Sequence, residues 1–334
     1  MRFRKETPAG RVHTAAVPDA NRAIILRYGV KDDPAGTFGT NIRARASRAN
    51  VTQNAPDTLI VASDIHGEYD RFTAVLRNAG IIDAQGRWSG GRKHLAILGD
   101  VFDRGGDAIR TVWMLYRLEE EAARAGGRLH FVLGNHEAMV MTGDLRYLSA
   151  KDSQIATLYD TAFSALFDPR HSVLGQWLAS KPVAMRVGDI LLAHGGVSGV
   201  YARWTLRAID DTLRRYVGEE LFPRWADRTY RAPLDSAAYV RRFNFFWDER
   251  SIFWYRGYAR FDSTLTELKT VLDRFDAAFH VVGHTPGQGI RASHGGLLVD
   301  VNTMPFAAEA LMLVRRGREW ERYRIRESGP PEPL

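Results

Sequence analysis

Six polar side chains that could bind metal ions follow short apolar runs along the sequence. They comprise two carboxylates, one carboxamide and three imidazoles: Asp64, His66, Asp100, Asn135, His194 and His284. Such oxygen and nitrogen ligands suit manganese, iron, zinc or magnesium rather than soft metals. One metal could not use all six, whereas two ions roughly 3.5–4 Å apart could share a bridging carboxylate. The set therefore predicts a two-metal site of the kind that hydrolyses phosphoesters, and the alternative is a satisfied polar network at a sheet edge.

To bring these residues together, the chain needs strands that end at one edge of a sheet. The apolar runs in TLIVASDIHG, HLAILGDVFDRGG, LHFVLGNHE, ILLAHGG and FHVVGHTP are typical of strands buried on both faces. Apolar residues at helical spacing from Ile109 predict a helix over 107–125, with Asp107 near its N-terminal cap. Strand 94–99, this helix and strand 129–133 then form a crossover unit, and ligands of such α/β sheets gather at the carboxyl ends of the strands.

Further strands are predicted near the C-terminus. GLLVDV (296–301) is expected to be a strand, and AEALMLVRRGREWERYRI (308–325) a hairpin that turns at Arg316–Gly317. Both are expected to extend a second sheet. The last residues, SGPPEPL (328–334), are expected to fray.

The composition excludes several classes of protein. Hydrophobic residues make up 45% of the 334 residues and charged residues 25%, as in ordinary globular proteins. No segment approaches the ~20 consecutive apolar residues of a membrane span. The absence of cysteine excludes disulfides, thiolate metal sites and cysteine nucleophiles. Residues 1–50 contain ten Lys/Arg and four Asp/Glu, or +6 of the net charge of +7, so a solvated basic arm or edge strand is preferred over a polyanion-binding tail.

Five motifs occur in an order that resembles a known family. They are SDIHG (63–67), GDVFDRG (99–105), GNHE (134–137), HGG (194–196) and GHTP (283–286). Over residues 57–300 they resemble the metallophosphoesterases, and within them the PPP-type phosphatases. The segments GDLRY (143–147), EEEAARAGG (119–127) and WYRGY (254–258) are most similar to the Shewanella-like bacterial branch. The sequence departs from the eukaryotic Ser/Thr enzymes at Ser63 and lacks their cysteine-containing loop, so their specificity and partners are not carried over.

The resemblance implies an α/β fold and its boundaries. The expected architecture is a four-layer αββα sandwich, in which two mixed β-sheets are flanked by helices. A single domain is expected over 57–320, with helical insertions at 138–181 and 200–276 that cover the site. Residues 1–56 would form the basic N-terminal arm or edge strand, and residues 321–334 a C-terminal tail.

The resemblance also assigns the metal ligands. Asp64 and His66 would bind the first metal, Asp100 would bridge both, and Asn135, His194 and His284 would bind the second. Two divalent ions are expected, with manganese preferred and iron, zinc or magnesium as alternatives. The predicted reaction is hydrolysis of a phosphomonoester by in-line attack of a hydroxide that bridges the metals, without a phosphoenzyme.

Three residues beside the ligands are expected to act on the substrate. His136 follows Asn135 and would protonate the leaving oxygen. Asp103 would fix the ring of His136 and support its charged form, and the resemblance assigns the same roles to this pair. Arg104 would clamp the phosphate oxygens, the alternative being a structural ion pair with Asp103 or Asp107.

A second phosphate-binding arginine is expected from an insertion. Arg256 is the first choice, and Arg241, Arg242 and Arg250 are alternatives. Segment 200–276 also contains four of the eight tryptophans and six of the twelve tyrosines. Most of these rings are expected to form a helical sub-core, while a few could stack on the phenyl ring of phosphotyrosine.

The predicted substrate is a phosphorylated protein, with phosphotyrosine, phosphoserine or phosphothreonine, or a small phosphomonoester. Two alternatives stay open: a dinucleoside polyphosphate hydrolase with the same metal centre, and a non-catalytic module that binds polyanions through the basic arm. Nucleic acid is otherwise not expected as a partner, and the sequence gives no indication of oligomeric state. The start MRFRKETPAG lacks the apolar segment of a secretory signal, so a cytoplasmic location is expected, or a periplasmic one if a leader was removed.

Overall fold

Two mixed β-sheets place the predicted ligands at one edge. The structure, a computed structural model, describes residues 2–7, 10–15, 24–30, 33–43, 46–159, 161–216, 236–303 and 307–334. The described strands are β1 (Arg2–Thr7), β2 (Gly10–Ala15), β3 (Ile24–Val30), β4 (Asp33–Ile42), β5 (Thr52–Gln53), β6 (Thr58–Ala62), β7 (His94–Ile97), β8 (Arg128–Phe131), β9 (Ala184–Val187), β10 (Ile190–Ala193), β11 (Phe279–Val282), β12 (Arg291–Ser293), β13 (Leu298–Asp300), β14 (Ala310–Arg316), β15 (Glu319–Ile325) and β16 (Glu332–Pro333). The described α-helices are α1 (Tyr69–Asn78), α2 (Ala108–Arg124), α3 (Asn135–Thr142), α4 (Ala150–Tyr159), α5 (Val173–Ala179), α6 (Leu206–Tyr216), α7 (Ser236–Phe246), α8 (Gly257–Arg260) and α9 (Leu265–Arg274). Short 3-10 helices lie at Phe163–Phe167, Gly199–Tyr201 and His294–Gly296.

The two larger sheets have six strands each. The first has the order β16-β15-β14-β6-β7-β8, and the second has the order β12-β13-β11-β10-β9-β5. Strands β6, β7 and β8 are parallel to one another, as are β10, β11 and β13. The antiparallel strands β14 and β9 make both sheets mixed.

The sheets pack face to face because side chains alternate along each strand. In β6, Leu59 and Val61 join Leu192 of β10 in the core between the sheets. Ile60 and Ala62 point the other way, into the core that includes α1 and α2. Helices such as α6 and α9 pack on the second sheet. The layers confirm the predicted α/β fold, with two mixed sheets flanked by helices.

The predicted crossover unit is confirmed, and Asp107 lies at the start of its helix as predicted. The helix expected over 107–125 is α2, and the strands on either side, β7 and β8, are parallel. Asp107 occupies the N-terminal cap position, where its backbone carbonyl accepts the Thr111 N–H at 2.9 Å but its carboxylate accepts no hydrogen bond from the helix. Its carboxylate instead accepts a hydrogen bond from Lys151 Nζ at 2.7 Å, because an ammonium is a stronger donor than a peptide N–H.

The C-terminal strands divide between the sheets. Residues 298–300 extend the second sheet, whereas the predicted hairpin pairs through β14 with β6 of the first sheet, so its expected place in a second sheet is wrong. The fraying predicted for 328–334 is also wrong, because β16 pairs with β15 and Arg326 forms an ion pair with Glu332. The boundary predicted at residue 321 falls inside β15.

The N-terminal region contains two described hairpins, β1-β2 and β3-β4. The segment after β4 is attached to the body through charged contacts. Arg43 Nη1 lies 2.6 Å from Glu119 Oε2, and Arg48 Nη2 lies 2.6 Å from Asp210 Oδ2. None of the described helices is long and apolar enough to cross a bilayer.

Candidate metal centre

The six predicted ligands lie together at the carboxyl ends of the strands. Their positions are Asp64 and His66 after β6, Asp100 after β7, Asn135 at the start of α3 after β8, His194 after β10 and His284 after β11. All six are at most 6% exposed. Both sheets therefore contribute to one buried polar site.

The loops of the site use a backbone conformation that is rare for residues other than glycine. Nine non-glycine residues in the described part of the chain have a left-handed φ, and six of them lie here: Asp64, His66, Asp100, Asp103, Arg104 and His284. Each such residue costs roughly 1–3 kcal/mol, and strain of this kind concentrates at functional sites. Backbone hydrogen bonds between the loops hold this strained conformation. They include His66 N–H to Asp100 O at 2.9 Å and Asp64 N–H to Gly99 O at 3.0 Å.

Two motif glycines allow these loops to approach one another. A Cβ atom on Gly99 would lie 2.3 Å from the backbone nitrogen of Gly134. A Cβ atom on Gly134 would lie 2.3 Å from Asp100 Oδ1. Neither contact is physically acceptable, so both positions require glycine if Asp100 is to keep its place.

Asp100 is the centre of the site. Its Oδ2 atom lies 3.1 Å from His194 Nε2, 3.7 Å from His136 Nε2 and 3.8 Å from His66 Nε2. Burial alone would raise the pKa of Asp100, but the imidazoles of His194 and His136 hold this pKa well below its ordinary value. Asp100 is thus an ionised carboxylate shared by both halves of the site.

On one side of Asp100, nitrogen and oxygen atoms that can bind a metal ion converge. His194 Nδ1 donates to Leu98 O at 2.6 Å, so its Nε2 atom faces inward. Around His194 Nε2 lie Asn135 Oδ1 at 2.9 Å and His284 Nδ1 at 3.1 Å. Burial alone would lower the pKa of His194, but Asp100 and Asp64 raise it to about 9. Such a concentration of donor atoms and negative potential fits a divalent cation.

On the other side, Asp64 and His66 are each oriented by the protein. His66 Nδ1 donates to Phe102 O at 2.7 Å, so Nε2 faces Asp64 Oδ1 at 4.0 Å. Asp64 accepts hydrogen bonds from Asn302 Nδ2 at 2.8 Å and from the His284 N–H at 3.0 Å. Burial raises the pKa of Asp64 to about 6. Bonds of this type hold metal ligands in the orientation that binding needs.

His136 lies next to the ligands, paired with Asp103 as expected. His136 Nδ1 lies 2.6 Å from Asp103 Oδ2, and the His136 N–H donates to Asp100 Oδ1 at 3.0 Å. Burial alone would lower the pKa of His136, but Asp100 and Asp103 outweigh it and the net shift is upward. Because Nδ1 is engaged by Asp103, the Nε2 edge faces the site.

The predicted phosphate clamps differ in their surroundings. Arg104 is exposed and forms no ion pair within the described residues, so its alternative role as a structural partner of Asp103 or Asp107 finds no support. Arg256 is half-buried and donates from Nη1 to His284 O at 2.5 Å.

The other candidate arginines in the insertion are less well placed. Arg250 is held by Glu267 at 2.6 Å, and Arg241 is exposed on α7. The side chain of Arg242 lies outside the described residues. Arg256 is therefore the insertion arginine whose described contacts reach the ligand group.

Several described aromatic rings of segment 200–276 are packed in the core, as expected. Tyr201 and Tyr258 are at most 2% exposed. Trp254 is different, because its ring lies 5.6 Å from that of His284. Trp254 and Arg256 also line a cavity of about 510 Å³ within the insertion, together with Trp247.

Sequence patterns missed two residues that support the ligands. Glu137 accepts backbone hydrogen bonds from Gly134, Asp100 and Val101, each at 2.8 Å, and burial raises its pKa to about 7. A glutamate at the third position of a helix is a known N-terminal signal that could have identified it. Asn302, which orients Asp64, had no comparable local signal.

Comparisons with known proteins agree with this geometry. Residues 58–288 match the family model described as calcineurin-like phosphoesterase. Shewanella-like protein phosphatase 2 of Arabidopsis thaliana is 26% identical, covering 57% of this chain and 59% of its own length. Shewanella-like protein phosphatase 1 of Plasmodium berghei is 25% identical, covering 68% of this chain and 60% of its own length. The chain thus spans about three fifths of these curated relatives.

One solved structure is similar over nearly the whole chain. It is the cold-active protein-tyrosine phosphatase of a psychrophilic Shewanella species, with a TM-score of 0.76 and 28% identity. The match covers 90% of this chain and 93% of that one.

Proposed function

Because this chain belongs to the calcineurin-like phosphoesterase family, we propose that it is a dinuclear metal-dependent phosphomonoester hydrolase that acts on phosphoproteins. The main support is the position of Asp100, whose carboxylate belongs to both buried groups of candidate ligands. The first group also contains His66 and His136, and the second also contains His194 and His284. Asp64 and Asn135 would complete the two coordination spheres, with manganese as the preferred ion.

The residues around the ligands supply charge for the phosphate. When bound, two divalent ions offset phosphate charge and lower the pKa of the attacking water. Arg104 would donate two parallel hydrogen bonds to phosphate oxygens, a geometry that a guanidinium offers and an ammonium does not. Arg256, fixed to the carbonyl of His284, would add a second guanidinium.

His136 would move the proton that the leaving group needs. Asp103 accepts the Nδ1–H of His136, so the charged ring donates from Nε2. A leaving oxygen placed at this nitrogen would depart as a neutral alcohol or phenol. Asp103 is 0% exposed, which keeps water from competing for the Nδ1 bond.

The names of the relatives support a phosphoprotein substrate. Two are called Shewanella-like protein phosphatases, and the similar solved structure is called a protein-tyrosine phosphatase. The cavity of about 510 Å³ beside Arg256 offers room for a part of the substrate beyond the phosphate. Phosphotyrosine peptides are therefore the first substrates to test, followed by phosphoserine and phosphothreonine peptides.

The test combines metal analysis with a substrate panel. Purified protein is assayed with manganese, iron, zinc and magnesium against the three phosphopeptide types and against diadenosine tetraphosphate. We expect metal-dependent release of phosphate from peptides, which chelation abolishes. Faster hydrolysis of diadenosine tetraphosphate would instead favour the dinucleoside polyphosphate hydrolase. Salt-sensitive DNA binding without hydrolysis would favour the polyanion-binding module.

A further inference from the structure

Tyr147 is an exposed aromatic residue beside the proposed proton donor. Its side chain is 46% exposed. The centroid of its ring lies 5.5 Å from that of His136, with the ring planes tilted by 45°. Single exposed aromatic residues are common on protein surfaces, so exposure alone says little. The location of this ring, at the edge of the site, is the informative fact.

The segment that contains Tyr147 is held firmly. Helix α3 ends at Thr142 and is followed by Gly143, which has a φ of 87°, and Asp144 donates its N–H to Met139 O at 2.9 Å. Arg146 forms a two-bond ion pair with Asp144, at 2.9 and 2.7 Å. These contacts fix the turn that carries Tyr147, which reduces the entropy lost when its ring meets a substrate.

The same segment also contacts the proposed phosphate clamp. The Arg104 N–H donates to Tyr147 O at 3.1 Å. The guanidinium carbon of Arg104 lies 5.9 Å from the centroid of the Tyr147 ring. The ring thus lies close both to the group that would hold the phosphate and to the imidazole that would protonate the leaving oxygen.

This position determines what the ring would meet in a substrate. A leaving oxygen at His136 Nε2 would place the rest of the leaving group next to Tyr147. A phenyl ring could pack edge-to-face or offset against Tyr147, since aromatic pairs prefer centroid distances of roughly 4.5–7 Å. The methylene group of phosphoserine would offer little surface for the same contact.

Building on the proposed function, we propose that Tyr147 packs against the aromatic leaving group of phosphotyrosine and thereby selects aryl over alkyl phosphomonoesters. The contact involves the ring and not the hydroxyl group. It would contribute a preference of roughly three- to tenfold, the usual size of an aromatic pair.

The test compares three variants on matched substrates. Tyr147→Ala removes the ring, Tyr147→Phe keeps it, and Phe261→Ala removes another exposed aromatic ring, 59% exposed, as a control. Each is assayed on two peptides that differ only in phosphotyrosine or phosphoserine. We expect Tyr147→Ala to lower kcat/KM for the phosphotyrosine peptide by roughly three- to tenfold, with the phosphoserine value unchanged. Tyr147→Phe and Phe261→Ala should match the parent.

Several results would overturn the inference. One is equal loss on both peptides in Tyr147→Ala, because it would indicate a general structural role. Another is equal loss in Tyr147→Phe and Tyr147→Ala, because the hydroxyl group would then be the important part. Circular dichroism melting curves of all variants would identify a folding defect.

Inhibitor binding tests the contact without turnover. Phenylphosphonate and methylphosphonate share a phosphonate head, so their relative affinity reports on the ring alone. Tyr147→Ala should weaken phenylphosphonate by roughly three- to tenfold and leave methylphosphonate unchanged. If the parent bound both phosphonates but hydrolysed no peptide, the proposed function would fail while this measurement still tested the contact.

Discussion

The two sides of the site are built differently. The inner wall consists of the six candidate ligands, Asp64, His66, Asp100, Asn135, His194 and His284, and the outer wall consists of Arg104, Tyr147 and Arg256. Inner-wall side chains are at most 6% exposed, and several are fixed by hydrogen bonds to backbone atoms. In the outer wall Arg104 is exposed and Tyr147 is 46% exposed.

This difference suggests that the buried ligands carry out the reaction and that the exposed residues select the substrate. Buried charges are stable only when their partners are fixed, so a change in the inner wall disturbs every neighbour. Exposed side chains have few partners, so a change in the outer wall stays local. We therefore expect inner-wall substitutions to abolish the reaction, and outer-wall substitutions to keep the metals and to weaken or alter the binding of substrates.

The largest effect is expected for Asp100→Asn. This change removes the charge that faces three imidazoles, so at least one metal equivalent should be lost, and kcat should fall by roughly a thousandfold or more. Metal content by mass spectrometry and phosphate release would be measured together. Asp210→Asn, a buried aspartate 1% exposed in the ion pair with Arg48, is the matched control and should keep both properties. If Asp100→Asn kept two metal equivalents and full activity, Asp100 could not be the shared metal ligand.

His136→Asn should leave the metals in place and slow the reaction. Loss of a general acid costs roughly 10²–10⁴-fold in rate. The deficit should be greater for alkyl phosphates than for nitrophenyl phosphate, because an alkoxide leaves poorly without a proton. Equal deficits for both substrates would contradict the assignment of His136 as the acid.

Asp103→Asn should change the pH profile more than the maximum rate. His136 must be protonated to act, and its pKa is raised because Asp100 and Asp103 outweigh the effect of burial. Loss of the Asp103 charge lowers this pKa, so the alkaline limb of kcat/KM should move to lower pH by about one unit or more. An unchanged alkaline limb would show that another group controls it.

A smaller effect is expected for Arg104→Lys in the outer wall. The charge remains but the two-bond fork is lost, so kcat/KM should fall by roughly tenfold while metal content stays constant. Arg250→Lys, at a residue already paired with Glu267, is the control. Loss of metal in Arg104→Lys would contradict the proposal that outer-wall residues do not hold the metals.

Much of the inner wall was predictable because its signals are local. Each ligand follows an apolar run, and parallel strands bring such ends to one edge. Helix α2 was predictable for the same reason, since its buried face repeats at helical spacing. The assignments of catalytic and ligand roles stay predictions, although the structure brings the residues together.

Features that depend on distant partners were not predictable. Asn302 lies 238 positions from Asp64, which it orients, and no spacing links them. The hairpin of β14 and β15 pairs with β6 through β14, and these two strands are far apart in sequence. The C-terminal residues pair with β15 although their composition suggested fraying. Tyr147 was noted only as part of a motif, because its nearness to His136 depends on how the turn after α3 folds.

Anomalous diffraction from crystals grown with manganese tests the central claim most directly. We predict two peaks roughly 3.5–4 Å apart, with Asp100 between them and Asp64, His66, Asn135, His194 and His284 around them. A single peak, or density away from these side chains, would contradict the two-metal account.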